Sequence, residues 1–567
     1  SGLSLSDISV ADDSSQESGD TEDHLSEDDV QSDTEDELED ETVEAPDSPM
    51  EVAESIQSTG STVDSNNSSL NRRIIIPPQR TLRGKNRHCW TTSKGQSRGR
   101  TSAINIVRTA RGPTRMCKDL YDPVLCFNLF MTNEIVIGIV RWTNAEISLK
   151  RQDSKFSATF RDTNDVEIRA FIGILILSAA RKDNHFSTDE IFNSSSGNRY
   201  VSVMSRDRFD YIIRCLRMDD KTLRPSIRTE DPFVPVRKLW NIFIDHCIHN
   251  YTPGPHLTVD EQLLGFRGRC PFRMYIPNKP NRYGIKIPMI CDSGTKYMIN
   301  AMPYIGRATN TNGVPQGGYY VKELSRPVHG TNRNITCDNW FTSVPLAKSL
   351  LQSPYNLTLV GTIRSNKREI PEQLKNTRSR PVGTSMFCYD GPLTLVSYKP
   401  KPSKMVYLLS SCDEEGTINH TSGKPEMIMY YNQTKGGVDT FDQMCSSMSS
   451  FVNSYVIYCH NVLSKHEKPL NRRKFMKKLS TELTSPWMEK RLEVPTLKRY
   501  LREGINDLLP KNDETANEQR EEEAAVKKRR YCAYCPSKIR RMSKMECALC
   551  KKPVCGNHKK YLCIKCA

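Results

Sequence analysis

Eight cysteine and histidine residues are concentrated near the C-terminus of this 567-residue sequence, where they form four pairs. Two residues separate the members of each pair, and this spacing lets one tight turn present two donors to a single tetrahedral ion. Because so short a segment lacks an apolar core of its own, bound metal must stabilise its fold. We therefore predict two Zn²⁺ ions, with the ligands Cys532, Cys535, Cys547, Cys550, Cys555, His558, Cys563 and Cys566.

The order of the pairs allows two ways of sharing these ligands. In a cross-braced arrangement, the first and third pairs bind one ion and the second and fourth pairs bind the other. In the alternative, two consecutive fingers each use neighbouring pairs. The segment is also rich in lysine and arginine, which favours a nucleic-acid partner. A ubiquitin-ligase or histone-reader module is the competing interpretation, although the gap between His558 and Cys563 is short for one.

Four aspartates have positions that suit a second kind of metal chemistry. Hydrolysis or transfer of a phosphodiester uses two divalent cations held by acidic oxygens, and Mg²⁺ (or Mn²⁺) prefers such ligands. Asp260 lies in or beside a predicted strand, and Asp338 ends another. Asp439 lies at a predicted helix start, and Asp442 is three residues further on, on the same helix face. On the residues alone, turn and capping roles remain the simpler explanation.

The hydrophobic pattern around these aspartates changes from a helical period to strict alternation. Short strands are predicted at residues 257–259, 283–287, 297–300 and 334–337, followed by a helix at 344–351 and a strand at 357–363. This order is that of an RNase H-like α/β core, in which three strands are followed by a fourth strand and then by alternating helix and strand. The flanking segments have helical periodicity, so we predict a helical domain there that serves in packing, dimerisation or DNA binding.

Charge divides the chain into unlike parts. The whole sequence has a net charge of +14, yet residues 1–70 contain 22 Asp and Glu and no Lys or Arg. Such an acidic segment with few aromatic residues is expected to be disordered. The basic excess therefore falls after residue 70, which predicts a polyanionic partner, and nucleic acid is the usual one. No apolar run approaches the roughly 18–20 residues that span a membrane, so no membrane partner is predicted.

These patterns predict seven consecutive regions. They are a disordered acidic tail (1–70), a basic arm (71–115), the first part of a helical dimerisation and DNA-binding domain (116–255), a catalytic domain (256–450) with an insertion at about 365–430, the second part of the helical domain (451–511), a linker (512–530) and a cysteine-rich zinc domain (531–567). The basic arm is expected to be flexible and to follow a phosphate backbone.

Five motifs resemble those of the piggyBac transposases. They are RTLRGKN at residues 80–86, LTVDEQLLGFRGRC at 257–270, CDNWFTS at 337–343, GTIRSNKR at 361–368 and YNQTKGGVD at 431–439. The resemblance extends from about Arg72 to the C-terminus. It implies cut-and-paste DNA transposition at TTAA targets through hairpin intermediates. It also implies an RNase H-like core with an insertion, flanked by a helical domain built from two separated segments of a homodimeric protein.

The resemblance also implies roles for particular residues. The catalytic, magnesium-binding carboxylates match Asp260, Asp338 and Asp439, with Asp442 as a supporting acid. Basic positions that contact DNA match Arg364, Lys367 and Arg368. The basic cluster at residues 527–530 matches a nuclear localisation signal, so the expected location is the nucleus. The expected partner is double-stranded DNA that carries transposon terminal repeats and a TTAA target.

The chain departs from the family pattern after Cys445. The family continues there through a basic, tryptophan-containing turn and a long apolar helix, whereas here a serine-rich stretch leads directly to Phe451. A segment next to the last catalytic helix is thus missing, and we predict impaired activity. The alternative interpretation is a catalytically inactive, transposase-derived protein that binds DNA or chromatin.

Overall fold

The computed structural model describes the chain in two compact units, Ser1–Val494 and Pro495–Ala567. The described residues are 81–93, 107, 109–152, 161–183, 186–193, 199–277, 281–306, 309–376, 378, 380–412, 416–445, 449–509, 530–536, 538–539, 541–543, 545 and 552–558. The acidic tail predicted at residues 1–70 and nearly all of the predicted linker therefore lie outside the described residues.

The first described element is a β-hairpin that packs on the rest of the larger unit. β1 (Leu82–Arg83) pairs antiparallel with β2 (Cys89–Trp90). Leu82 and Trp90 are buried, and the indole Nε1 of Trp90 donates a hydrogen bond of 2.8 Å to the carbonyl oxygen of Glu369. Burial of these two side chains opposes the entropy of a free chain. The expectation of a flexible basic arm is therefore wrong for residues 81–93.

Helices form the region between residues 116 and 255, as predicted. Their bounds are Pro123–Asn128, Asn133–Arg151, Asp165–Arg181, Thr188–Ile191, Arg199–Val203, Arg206–Cys215, Arg224–Ile227 and Val234–Asn250. Three of the longer ones begin at a side-chain cap, because Thr132, Asn164 and Ser205 each accept a backbone N–H of the first turn. Among the described helices, none combines the length and the apolar character needed to cross a membrane.

Three further helices follow the predicted catalytic region: Ser449–Ser464, Arg472–Leu492 and, in the second unit, Arg499–Leu508. The helix Arg472–Leu492 packs against the helix Asp165–Arg181, where the Ser480 hydroxyl donates to the carbonyl oxygen of Gly173 at 2.7 Å. A Cβ atom on Gly173 would lie 2.7 Å from the Thr484 side chain. The two helical segments, separated by the sheet in the sequence, are therefore in close contact in space.

A mixed nine-stranded sheet separates these helical segments in the sequence. β3 (Gly112–Pro113) and β4 (Tyr251–Thr252) form a small pair before it. The sheet contains β5 (His256–Gly265), β6 (Met274–Tyr275), β7 (Tyr283–Asp292), β8 (Met298–Ala301), β9 (Asn334–Cys337), β10 (Thr358–Thr362), β11 (Ser385–Asp390), β12 (Leu393–Lys401) and β13 (Lys404–Ser410). The associated helices are Gln316–Leu324, Val344–Leu350, Glu372–Lys375, Glu426–Lys435 and Gly437–Met444. The six elements predicted around the aspartates are confirmed, and β5 extends well beyond its predicted end.

The strand order explains how the aspartates are positioned. It runs β11-β12-β13-β10-β9-β5-β7-β6, with β8 also paired to β7. β7 is antiparallel to both β5 and β8, whereas β9 is parallel to both β5 and β10. The segment predicted as an insertion supplies β11, β12 and β13, which extend the same sheet because β13 pairs with β10. Val360 of β10 shares an apolar cluster with Phe387, Val396 and Leu408 of that segment.

Candidate active site

Two neighbouring parallel strands carry the first two aspartates of the predicted site. β5 and β9 pair in parallel, and Val259 lies opposite Cys337 in their register. Asp260 and Asp338 each follow one of these paired residues. β9 ends at Cys337, so Asp338 lies at its carboxyl end, whereas β5 continues past Asp260. The sheet therefore brings together two acids that are far apart in the sequence.

Asp338 lies in a turn that holds its carboxylate in place. Its Oδ1 atom accepts the backbone N–H groups of Trp340 at 3.0 Å and Phe341 at 3.4 Å. The pKa of Asp338 is raised to about 7, mainly by burial and also by the nearby charge of Glu261, while the charge of Lys286 opposes this rise. A carboxylate that is desolvated beside a second acid is one that a bound cation stabilises.

Lys286 and Glu261 extend this charged cluster from β7 and β5. The Nζ atom of Lys286 lies 3.9 Å from Oε1 of Glu261 and 4.0 Å from the centre of the Trp340 ring. The other oxygen of Glu261, Oε2, is buried and makes no hydrogen bond. Sequence reasoning did not identify Glu261 or Lys286, because their proximity to Asp338 depends on the pairing of three strands.

The helix Gly437–Met444, which we call the Asp439 helix, lies along β5 on the predicted site. At its start, a Cβ atom on Gly437 would lie 2.3 Å from Oγ1 of Thr258. Towards its end, Nε2 of Gln262 donates a hydrogen bond of 2.6 Å to Oδ1 of Asp442. Asp439 lies between Gly437 and Asp442 in the helix, and Asp260 lies between Thr258 and Gln262 in β5. Asp439 is exposed. The helix start predicted after Gly436 is confirmed.

Gln262 is a third residue that sequence reasoning missed. It lies two positions after Asp260, so both side chains are on the same face of β5. That alternation was the available signal, but its partner Asp442 is 180 residues away in the sequence. Within the described residues, the carboxylate oxygens of Asp260, Asp338 and Asp439 do not all lie within 4.8 Å of one another. The fold thus gathers the acids in one region without closing them into a single ligand set.

The predicted DNA-contacting residues lie in the loop that follows β10. Nε of Arg364 donates a hydrogen bond of 3.0 Å to Oδ1 of Asn339, the residue after Asp338. Arg368 is exposed, and Lys367 is half-buried. Together with Asn86 of the hairpin, residues 364 and 366–369 line an open cavity. The loop is therefore connected to the strand end that carries Asp338.

The second unit contains the predicted zinc ligands of the first and third pairs. Nδ1 of His558 lies 3.5 Å, 3.6 Å and 3.3 Å from the sulfur atoms of Cys532, Cys535 and Cys555. The sulfur atoms of Cys535 and Cys555 are 3.6 Å apart. A tetrahedral zinc ion with bonds of about 2.3 Å to sulfur and about 2.1 Å to nitrogen has ligand separations in this range.

This clustering distinguishes the two predicted ways of sharing ligands. All four donor atoms lie within 4.8 Å of one another. The cross-braced arrangement assigns these four ligands to one ion, whereas consecutive fingers would combine the first pair with the second. The structure therefore agrees with the cross-brace for this set. The ligands predicted for the other ion lie outside the described residues: Cys547, Cys550, Cys563 and Cys566.

Comparisons with known proteins define the class to which this site belongs. A family model described as Transposase IS4 matches residues 122–455, which include most of the helical region, the whole sheet and all four predicted acids. The chain is therefore a transposase by family, and its fold combines a mixed sheet with helices.

The relatives identify the particular family. A solved structure described as the cryo-EM structure of a piggyBac transposase synaptic complex with hairpin DNA is 64% identical, with a TM-score of 0.69, over 81% of this chain and 100% of that chain. PiggyBac transposable element-derived protein 3 and the chimeric ERCC6-PGBD3 protein, both of Homo sapiens, are 24% identical over 358 residues, or 59% of this chain. The match spans 58% and 32% of those two proteins. This chain belongs to the piggyBac transposase family.

Proposed function

We propose that this chain is a cut-and-paste DNA transposase that cleaves and joins DNA at TTAA sites. The observation that carries this proposal is the parallel pairing of β5 with β9, which places Asp260 and Asp338 next to each other in the sheet. The Asp439 helix lies along the same strand. TTAA targeting and hairpin intermediates rest on the resemblance of the motifs and on the similarity to a transposase solved with hairpin DNA.

The residues present fit a hard divalent cation. The donor set consists of carboxylates, and one of them, Asp338, is desolvated beside Glu261. Asp260, Asp338 and Asp439 would hold Mg²⁺ or Mn²⁺, which when bound activates the attacking oxygen and stabilises the leaving oxygen of a phosphodiester. The proposed core is RNase H-like, since three antiparallel strands are followed by two parallel ones.

The other residues of the site bind DNA or hold the Asp439 helix in position. Gln262 holds Asp442, and this contact fixes the end of the Asp439 helix against β5. Arg364, Lys367 and Arg368 carry positive charge on the loop that Arg364 joins to Asn339, and this charge attracts the phosphates of a DNA strand. We propose that the chain acts in the nucleus as a homodimer on double-stranded DNA with transposon terminal repeats.

A cleavage assay with the purified full chain tests the proposal. The substrate is a labelled duplex that contains a family-like transposon end next to a TTAA sequence, and the products are resolved on a denaturing gel. We expect nicks and hairpin products that require Mg²⁺ or Mn²⁺. Complete lack of cleavage under conditions in which the chain binds the duplex would support the alternative, an inactive DNA-binding relic. That alternative is not favoured, because all four predicted carboxylates are present.

Zinc content gives a separate prediction. The cluster of Cys532, Cys535, Cys555 and His558 has the donors and spacing of a structural zinc site, and four more ligands are predicted beyond the described residues. We expect close to two equivalents of zinc per chain by elemental analysis. Cys555→Ser should reduce the content to about one equivalent, since it removes one of four ligands from one site. A content near one in the unchanged protein would contradict the prediction of two zinc ions.

The segment missing after Cys445 gives a further prediction. Residues 446–448 lie outside the described residues, and the next helix begins at Ser449. That helix is fixed to the sheet, because the Asn453 side-chain amide exchanges hydrogen bonds of 2.9 Å and 2.8 Å with the backbone of Met298. We expect the chain as it stands to excise a matched transposon less efficiently than a version with a family-like segment inserted between Ser449 and Phe451. Equal excision in cells would show that the shortened connection is harmless.

A further inference from the structure

The hairpin of residues 81–93 is fastened to the basic loop that follows β10. The backbone N–H of Asn86 donates to the carbonyl oxygen of Arg368 at 3.2 Å, and Nε1 of Trp90 donates to the carbonyl oxygen of Glu369 at 2.8 Å. These contacts join segments about 280 positions apart in the sequence. The hairpin thus supports the backbone of the loop at two consecutive residues.

The hairpin packs closely against the loop at Gly84. A Cβ atom on Gly84 would lie 2.5 Å from the carbonyl oxygen of Arg368 and 2.6 Å from that of Glu369. Both are backbone atoms, so they cannot rotate away as a flexible side chain would. The backbone N–H groups of Thr91 and Tyr389 also each donate to the other residue's carbonyl oxygen at 2.8 Å, which ties the hairpin to β11. The hairpin is therefore held in one position relative to the loop.

The hairpin tip adds positive charge to that of the loop. Lys85 and Arg87 are exposed and flank Asn86, which lines the cavity together with loop residues. This open cavity has a volume of about 450 Å³. The hairpin tip and the loop carry the cations Lys85, Arg87, Arg364, Lys367 and Arg368. Glu369 lines the cavity, and Glu372 pairs with both Lys85 and Lys375. Lys85 pairs with Glu372 at 3.4 Å, but both side chains are more than 60% exposed, so this ion pair is weak.

We propose that the hairpin is part of a binding site for the sugar–phosphate backbone of duplex DNA. Lys85, Asn86 and Arg87 contact phosphates on one side of the cavity, and Arg368 contacts them on the other. We choose duplex DNA as the partner, because Arg364 connects this cavity through Asn339 to the strand end at Asp338. DNA bound here leads towards the carboxylates. The inference rests on the proposed function.

Salt dependence of DNA binding tests this site. The probe is a fluorescein-labelled duplex of arbitrary sequence, and the full chain is titrated by fluorescence anisotropy at several salt concentrations. Each lost phosphate contact makes the plot of log affinity against log salt shallower by about 0.9. We therefore expect the double variant Lys85→Ala/Arg87→Ala to bind more weakly at low salt, with a slope shallower by about 2. Glu372→Gln should bind more tightly, since it removes a nearby negative charge.

Arg326→Ala is the matched control for charge. Arg326 is also exposed and also paired with a glutamate, Glu323, but it lies outside the hairpin and the loop. We expect its slope to equal that of the unchanged chain. If the Lys85/Arg87 double variant also keeps the original affinity and slope, the hairpin does not contact DNA and the inference is overturned while the proposed function stands. If the unchanged chain does not bind the duplex, both fail.

A glycine substitution tests the supporting role without a change of charge. Gly84→Ala forces the hairpin away from Arg368 and Glu369, and we expect it to weaken DNA binding several-fold. In the control Gly318→Ala the new Cβ atom would have 3.7 Å to its nearest neighbour, so binding should not change. Thermal unfolding of both variants verifies that they are folded. Wild-type affinity in folded Gly84→Ala would show that docking of the hairpin does not position the loop.

Discussion

Replacement of Asp338 by asparagine should lower the rate of DNA cleavage by about a thousandfold and leave DNA binding intact. The variant keeps an oxygen that accepts the backbone N–H groups of Trp340 and Phe341, so the turn after β9 should persist. It removes the negative charge that would hold a divalent cation, and loss of about 4 kcal/mol of stabilisation of the transition state corresponds to that factor. Binding should be unchanged or tighter, because repulsion of the DNA phosphates is reduced.

The measurement separates chemistry from affinity. Single-turnover cleavage of a labelled transposon end gives the rate, and anisotropy with the same duplex in the absence of divalent cation gives the affinity. The control Asp207→Ala removes an acid that is 74% exposed in the helical region, and it should cleave at the normal rate. If Asp338→Asn nicks DNA as fast as the unchanged chain, Asp338 is not part of the catalytic set. A loss of binding equal to the loss of rate would instead indicate damage to the fold.

A single methyl group at Gly437 should reduce cleavage by about a hundredfold, although it removes no charged or polar group. Its Cβ atom would lie 2.3 Å from Oγ1 of Thr258. That hydroxyl is buried and fixed, since it donates to the carbonyl oxygen of Thr434 at 2.6 Å and lies 2.8 Å from the Ser293 hydroxyl. The Asp439 helix must therefore move away from β5, and a shift of about 1 Å in a catalytic group costs roughly that factor in rate.

The adjacent glycine provides a matched control. An alanine at Gly436 would have its nearest neighbour, Oγ1 of Thr440, at an ordinary distance of 3.8 Å. We expect Gly436→Ala to cleave within a few-fold of the unchanged rate, while both variants bind DNA normally and unfold cooperatively. Equal rates for Gly437→Ala and Gly436→Ala would show that the position of the Asp439 helix on β5 does not control catalysis. Those two rates, measured in parallel, separate positioning from the general cost of a glycine substitution.

Features set by short-range patterns could be predicted from the sequence. The pairs that begin at Cys532 and Cys555 were recognised from their spacing, because two donors in one turn need no distant partner. The strand that ends at Cys337 and the helix that starts after Gly436 follow from local periodicity and from a glycine pair. These local elements also placed Asp338 and Asp439 at element ends. The motif resemblance then identified the family, which the comparisons confirm.

The tertiary structure decided which of these local features meet. The register that puts Val259 opposite Cys337 aligns Asp260 with Asp338, and no pattern within either strand specifies it. The bond from Gln262 to Asp442 spans 180 residues, and Trp90 reaches a carbonyl group 279 residues away. Residues 81–93 of the basic arm form a docked hairpin because they bond to the backbone of Glu369 and Tyr389, and both partners belong to the distant insertion. Local sequence determines which elements form and which residues they carry, whereas long-range packing determines which of those residues share a site.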